Sequence, residues 1–305
     1  MNTQPVVATC GLSKFYNHVC RVNKIDLEVP EGEIYGFLGP NGAGKSTTLK
    51  MLLGLAKPTD GRITLFGHEL GKHRRSILNQ IGSLIESPSY YGHLTGLENM
   101  RVMQTLRGVP RKNIDEALRI VRLENQKNKK VEHYSLGMKQ RLGIAMALIS
   151  YPKLLILDEP TNGLDPAGIG EIRELIKSMP RQYGITVLLS SHLLSEIEQI
   201  ATSVGIINDG NLLYQGKIET LQERNRSSLA IRTGNNAAAA AWMQTQGYMA
   251  NLQDECLQTE HMSDQQVARL NKDLVLSGID VLRIEERKRT LEDIFLELTG
   301  REKSL

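Results

Sequence analysis

Two short runs of uninterrupted apolar or β-branched residues, Leu154 to Leu157 and Thr186 to Leu189, give way abruptly to polar residues. Asp158 and Glu159 follow the first run; Ser191 and His192 follow the second. A run without polar alternation is the pattern of a strand covered on both faces, as in a parallel sheet. Comparable runs recur from about residue 5 to 220, separated by helical periods and Gly/Pro punctuation, which predicts βα units around a mostly parallel sheet. Ligands in open α/β sheets gather at strand carboxyl ends, so Asp158, Glu159 and His192 are the first candidate site residues. Residues 87–150 read mainly helical, with periodic stretches from Ile114 to Leu123 and from Met138 to Ile149. This predicts a helical insertion in the sheet domain.

The polar segment 223–228 reads as a linker, and beyond it the character of the chain changes. Strands are expected near Leu229 to Arg232 and Val281 to Ile284, and helices near Ala237 to Gln246, Gln265 to Ser277 and Leu291 to Leu298. The alanine run from Ala237 favours a helix because alanine is the best helix former. In the last helix, Thr290 is the expected N-cap, with Asp293 in the capping-box position and Ile294 and Leu298 on one face. The expected organisation is an α/β domain over 1–224, with its helical insertion at about 87–150, and a small α+β domain over 225–305.

The phosphate-binding chemistry lies in the first domain. Gly39-Pro40-Asn41-Gly42-Ala43-Gly44-Lys45-Ser46 fits GxxxxGK[ST], after the apolar Ile34 to Leu38 and before a helical segment from Thr47 to Leu53. Glycines let the backbone curl so that amides face phosphate at a helix N-terminus; Lys45 neutralises β/γ oxygens and Ser46 offers a hydroxyl to Mg²⁺. The expected nucleotide contacts therefore run from Gly39 through Ser46 to Thr47. An aspartate closing a buried strand can hold Mg²⁺ through water, and the next carboxylate can orient or deprotonate an attacking water, which gives Asp158 and Glu159 their expected roles.

Composition narrows the setting without naming a partner. The 305 residues are 40% hydrophobic and 23% charged, with net charge +3, too little for a nucleic-acid footprint. Three cysteines without metal spacing suit free thiols. There is no basic start followed by a long apolar stretch, and no run approaches the roughly 18 apolar residues of a membrane helix, so a cytoplasmic protein is expected.

Further motifs are more specific. Tyr134-Ser135-Leu136-Gly137-Met138-Lys139-Gln140-Arg141 resembles the signature of ABC ATPases, Gly163-Leu164-Asp165 resembles their D-loop, and His192 their switch histidine, all in that family's order. The resemblance implies a P-loop ABC ATPase that binds ATP and Mg²⁺, with two subunits head to tail and each ATP between one P-loop and the partner's signature loop. It implies catalytic roles for Glu159, His192 and Lys45, and nucleotide contacts from Ser135, Gly137 and Asp165. It also places Tyr16 on the adenine ring, with Phe15 as the alternative, and Glu86 beside Mg²⁺ together with Ser46 and Asp158. The family usually has glutamine where this chain has Glu86, and the extra charge predicts tighter, more pH-sensitive metal coupling. Leu136 and Met138 also depart from the common signature, while Ser135 and Gly137 keep its phosphate-binding pair.

SLGMKQRLGIA, NGLDP and SSHLLSEIEQ are similar to the bacitracin-resistance and lantibiotic-immunity ATPases, and the Thr290 to Gly300 tail resembles the end of this exporter group. That likeness implies export of antimicrobial peptides, an integral-membrane permease as partner, and a position on the inner face of the membrane held through it. Tyr90 and Tyr91, in the loop from Ser87 to Thr95, lie where such ATPases receive the permease. The competing expectations are export of another cargo and a soluble ABC ATPase acting away from membranes. The single cassette, the lack of sustained heptads and the near-neutral charge disfavour the second.

Overall fold

A computed structural model describes residues 4–86, 89–223, 228–253, 255–260 and 262–287. The expected helix from Leu291 to Leu298, the whole Thr290 to Gly300 motif, Ser87 with Pro88, and residues 224–227 of the expected linker lie outside them. The chain forms two compact units, 1–218 and 219–305.

The first unit is organised by a six-stranded sheet in the order Asn211–Lys217, Ser203–Asn208, Ile34–Leu38, Thr186–Ser191, Leu154–Asp158, Ile81–Leu84. All neighbours are parallel except the first pair. Every residue of Ile34–Leu38, Leu154–Asp158 and Thr186–Ser191 is buried, which is why these three segments read as unbroken apolar runs. Their carboxyl ends lie side by side: the register sets Leu38 opposite Ser191 and Asp158 opposite Ser190. The strand Thr186–Ser191 thus stands between the phosphate-loop strand and the Asp158 strand and can reach the ends of both.

A second, antiparallel sheet pairs Val7–Tyr16 with Val19–Ile25, Glu28–Val29 and Asp60–Leu65. The chain leaves the sheet between Ile25 and Glu28, where the Asp26 side chain accepts the Gly11 N–H at 2.6 Å. The region from 87 to 150 holds helices Gly96–Arg107, Lys112–Ile120 and Leu136–Leu148. The second of these stops short of the predicted Leu123 where Arg122 turns left-handed, at φ 56°. Among the described residues no helix is long and apolar enough to cross a membrane.

The second unit runs strand–helix–strand–strand–helix–strand over Ser228–Thr233, Asn236–Thr245, Ala250–Gln253, Cys256–Thr259, Asp264–Leu276 and Val281–Arg287. Its antiparallel sheet has Ser228–Thr233 between Cys256–Thr259 and Val281–Arg287, the ferredoxin-like arrangement. Leu229, Ile231, Ala239, Met243, Leu257, Leu270 and Leu274 form its core.

Candidate functional site

The loop after Ile34–Leu38 turns sharply enough to lay backbone amides at the start of the helix Lys45–Leu52. Gly44 sits at φ 108°, and a Cβ there would lie 2.5 Å from the Arg21 carbonyl oxygen. A Cβ on Gly39 would meet the Ile207 carbonyl oxygen at 2.3 Å. Both positions exclude any side chain, and Gly44 also needs the left-handed backbone that glycine tolerates. The resulting open helix N-terminus is a site for anions. Lys45 is only 5% exposed, and its Nζ donates to Gly39 O at 2.7 Å and Pro40 O at 3.2 Å. The ammonium is therefore held in the mouth of the loop, where phosphate oxygens would meet it.

Lys45 also reaches the acidic pair. Its Nζ stands 3.3 Å from Glu159 Oε1, and the other Glu159 oxygen lies 2.6 Å from His192 Nδ1. Lys45 and His192, from two separate segments, thus converge on the one carboxylate of Glu159. Glu159 is held in left-handed backbone at φ 48°, uncommon for a residue with a side chain and worth roughly 1–3 kcal/mol of strain. Its N–H donates to Ser190 Oγ at 3.0 Å and Ser190 O at 3.2 Å, and Ser190 Oγ donates to Asp158 Oδ1 at 2.5 Å. No role was assigned to Ser190 from the sequence, although it opens the SSHLLSEIEQ stretch and sits near the polar end of an apolar strand. Asp158 is buried at the strand end and Ser46 lies in the first turn of the phosphate-loop helix. Hydroxyl and carboxylate oxygens are hard donors that suit Mg²⁺. No group of three or more His, Cys, Asp or Glu able to hold a metal occurs among the described residues. A partial protein oxygen set of this kind fits an ion that keeps waters and takes the rest of its ligands from phosphates.

Glu86 is exposed and, like Glu159, left-handed, at φ 60°. Its Oε1 lies 2.6 Å from Nζ of Lys50, one of the last residues of the phosphate-loop helix. The hydrogen bond and charge of Lys50 hold the Glu86 carboxyl below the usual carboxylate range, and the Glu86 hydrogen bond raises Lys50, with smaller contributions from Asp158 and Tyr16. The negative charge of Glu86 is thus balanced by a lysine that no motif announced. If Glu86 is a metal ligand, Lys50 competes with the ion for it. Lys50→Met should lower the Mg²⁺ concentration that half-saturates the nucleotide complex by roughly two- to fivefold, and Glu86→Gln should raise it. Titrating Mg²⁺ into the protein with a fluorescent ATP analogue reads both; no shift in either variant would remove Glu86 from the metal set.

The remaining predicted contacts lie further out. Tyr16 ends the strand Val7–Tyr16, is 45% exposed and has Lys14 Nζ 4.7 Å from its ring centroid. Ser135 caps the helix Leu136–Leu148 by accepting from Met138 N–H at 3.2 Å, so the helix begins two residues before the predicted Met138 and Gly137 lies in its first turn. A Cβ on Gly137 would meet nothing within 4 Å, leaving that helix N-terminus open. Asp165 caps the helix Pro166–Tyr183 through Gly168 N–H at 3.1 Å. Leu136 reaches Gly163: its Cδ2 would lie 3.3 Å from a Cβ there, so the signature-like and D-loop-like segments adjoin.

A sequence profile described as ABC transporter matches residues 22–162. The bacitracin transport ATP-binding protein BcrA of Bacillus licheniformis is 46% identical over 300 residues, 97% of each chain. The lantibiotic transport ATP-binding protein SrtF of Streptococcus pyogenes is 46% identical over 217 residues, 70% of this chain and 93% of its own. Among solved structures, cbiO1 from Clostridium perfringens, part of the ABC transporter complex cbiONQ, aligns at TM-score 0.66 with 28% identity, over 73% of this chain and 95% of its own. The dimeric ATP-binding cassette MJ0796, in a post-hydrolysis state bound to ADP and Pi, aligns at TM-score 0.63 with 27% identity, over 70% of this chain and 98% of its own.

Proposed function

The chain belongs to the ABC transporter family as an ATP-binding subunit whose ATP hydrolysis drives transport, and from that footing we propose that it powers the export of antimicrobial peptides of the bacitracin or lantibiotic kind. The convergence of Lys45, Glu159 and His192 at adjoining strand ends carries the catalytic assignment. Water attacks the γ-phosphorus, the bond to the β–γ bridging oxygen breaks, and ADP and inorganic phosphate form. Glu159 accepts the proton of the attacking water, and His192, bound to Glu159 through Nδ1, leaves Nε2 for the γ-phosphate. Lys45 and the amides from Gly39 to Thr47 cradle the β- and γ-phosphates, and Tyr16 stacks on the adenine. Ser46 and Asp158, with Glu86, hold Mg²⁺, which when bound neutralises charge on the phosphate oxygens.

The open helix N-terminus at Ser135 and Gly137 supports a head-to-tail pair of these subunits, because its amides have room for the γ-phosphate bound by the other copy. Asp165 belongs to the same surface. An integral-membrane permease is the second partner and holds the subunit at the inner face of the membrane; no nucleic acid takes part. A cleft of about 270 Å³ between the Ile81–Leu84 strand and the helices bearing Met103 and Met146 opens beside the Glu86 loop and suits an inserted permease segment. Tyr91 stands at that loop, 55% exposed, its backbone clamped by Asn99, which accepts its N–H at 2.8 Å and donates to its carbonyl at 3.1 Å.

The cargo assignment rests on the 46% identity to BcrA across 97% of both chains. Deleting the gene should lower the bacitracin or lantibiotic concentration that stops growth. The wild-type gene should restore resistance and Lys45→Met should not. Unchanged susceptibility to both peptide classes would reassign the cargo. A protein trapped with Mg-ATP that brought no multi-helix membrane protein from solubilised membranes would overturn the permease partnership.

A further inference from the structure

One layer beneath the catalytic pair lies a carboxylate that the reaction as assigned does not use. Glu196, in the helix Leu194–Ile200, is 8% exposed, and its Oε2 accepts from Thr161 Oγ1 at 2.7 Å and from Ser191 Oγ at 2.9 Å. Both hydroxyls are buried. Ser191 immediately precedes His192, and Thr161 follows Glu159 by two positions. A single oxygen therefore joins the segment carrying the histidine to the segment carrying the general base.

We infer that Glu196 is a positioning residue that fixes the 2.6 Å contact between Glu159 Oε2 and His192 Nδ1 by clasping the two segments from below. The inference rests on the assignment of Glu159 and His192 to hydrolysis. Burying a carboxylate is costly, and apolar packing would join two loops without that cost. What the carboxylate adds is direction: hydrogen bonds to an ionised acceptor are short and about twice as strong as neutral ones. The need is local. Glu159 stands in strained left-handed backbone, and the peptide after it leads directly into Pro160 and Thr161. The turn is closed by Asn162 N–H to Glu159 O at 3.1 Å and Leu164 N–H to Thr161 O at 3.2 Å, so an anchor at Thr161 grips the turn that sets Glu159. On the other side Ser191 Oγ also accepts the Leu193 N–H at 3.0 Å, spanning the backbone on both sides of His192. With both anchors on one carboxylate, neither loop shifts without the other.

The test is a double-mutant cycle on the full chain, reading kcat together with the affinity for a fluorescent ATP analogue. Thr161→Val and Ser191→Ala remove one arm each with little change of volume. Each should lower kcat roughly tenfold, the scale of a sub-ångström misplacement, with nucleotide affinity unchanged within about twofold. Glu196→Gln keeps an acceptor oxygen and should stay within about threefold of wild type. In a His192→Ala background, Ser191→Ala should have no further effect on kcat, because the residue through which it acts is gone. Wild-type kcat in both single variants, or a full additive loss in the His192→Ala background, would overturn the positioning role while leaving the catalytic assignment intact. Wild-type turnover in His192→Ala itself would overturn that assignment and the inference with it. If one arm variant fails to fold, the other carries the same comparison.

Discussion

Exchange of Glu159 for glutamine is expected to lower ATP turnover by about three orders of magnitude while leaving ATP binding intact, the scale of a lost general base. The substitution is close to isosteric and removes one capacity. The variant would keep the backbone N–H bonds to Ser190 and the same chain path, since a glutamine tolerates the left-handed φ of 48° no better and no worse than a glutamate. Lys45 would lose its 3.3 Å charged neighbour but keep Gly39 O and Pro40 O, so the phosphate cradle should survive. With hydrolysis blocked and Mg-ATP present, the proposed head-to-tail pair should accumulate, because in that arrangement the bridging γ-phosphate would not be consumed. Single-turnover hydrolysis and sizing by gel filtration check the two halves separately. Turnover within tenfold of wild type would mean that another group takes the proton. Glu159→Asp sharpens the comparison: it keeps the base but draws it back by one methylene, and should fall well below wild type if the contact with His192 sets the geometry.

What the sequence revealed and what it hid follow from the range of the forces involved. The strands Leu154–Asp158 and Thr186–Ser191 were legible because they are covered on both faces, and the phosphate loop because its glycines answer to backbone sterics that only glycine meets. The Val19–Ile25 strand was not legible. Only Val22 and Ile25 in it are buried, three positions apart, and its partner Val7–Tyr16 shifts register between Leu12 and Lys14 and again between Lys14 and Phe15, so no period of two survives. The signature helix begins at Leu136 because the Ser135 side chain caps it, a local bond that outweighs the glycine at 137 as a boundary marker. Ser190 and Glu196 lie in the SSHLLSEIEQ stretch, but their roles were not legible for another reason. Ser190 meets Asp158 across 32 residues of chain and Glu196 meets Thr161 across 35, and only the order of strands in the sheet brings them together. Lys50 likewise announces nothing until the helix Lys45–Leu52 sets it against Glu86 across 36 residues of chain.

Replacing Lys45 by methionine should abolish function at an earlier step, lowering the affinity for ATP about 100-fold or more, the worth of one to two charge-assisted hydrogen bonds in a site shielded from water. Methionine matches the length of the lysine stem and suits a position only 5% exposed, so the fold should remain, with a melting temperature within a few degrees of wild type. Its thioether cannot satisfy the Gly39 and Pro40 carbonyl oxygens, which then rely on water or on the loop relaxing. Arginine restores the charge but not the site. The guanidinium is wider and presents a planar fork, while the lysine Nζ is a point donor enclosed by Gly39 O, Pro40 O and Glu159 Oε1, so Lys45→Arg should recover little affinity. Binding of a fluorescent nucleotide separates this variant from Glu159→Gln: the first should fail to bind, the second should bind and not turn over. Lys45→Met that bound ATP normally and lost only kcat would show that the ammonium meets the phosphates in the transition state alone, and that ATP is held in the ground state by the amides of the loop and the open N-terminus of its helix.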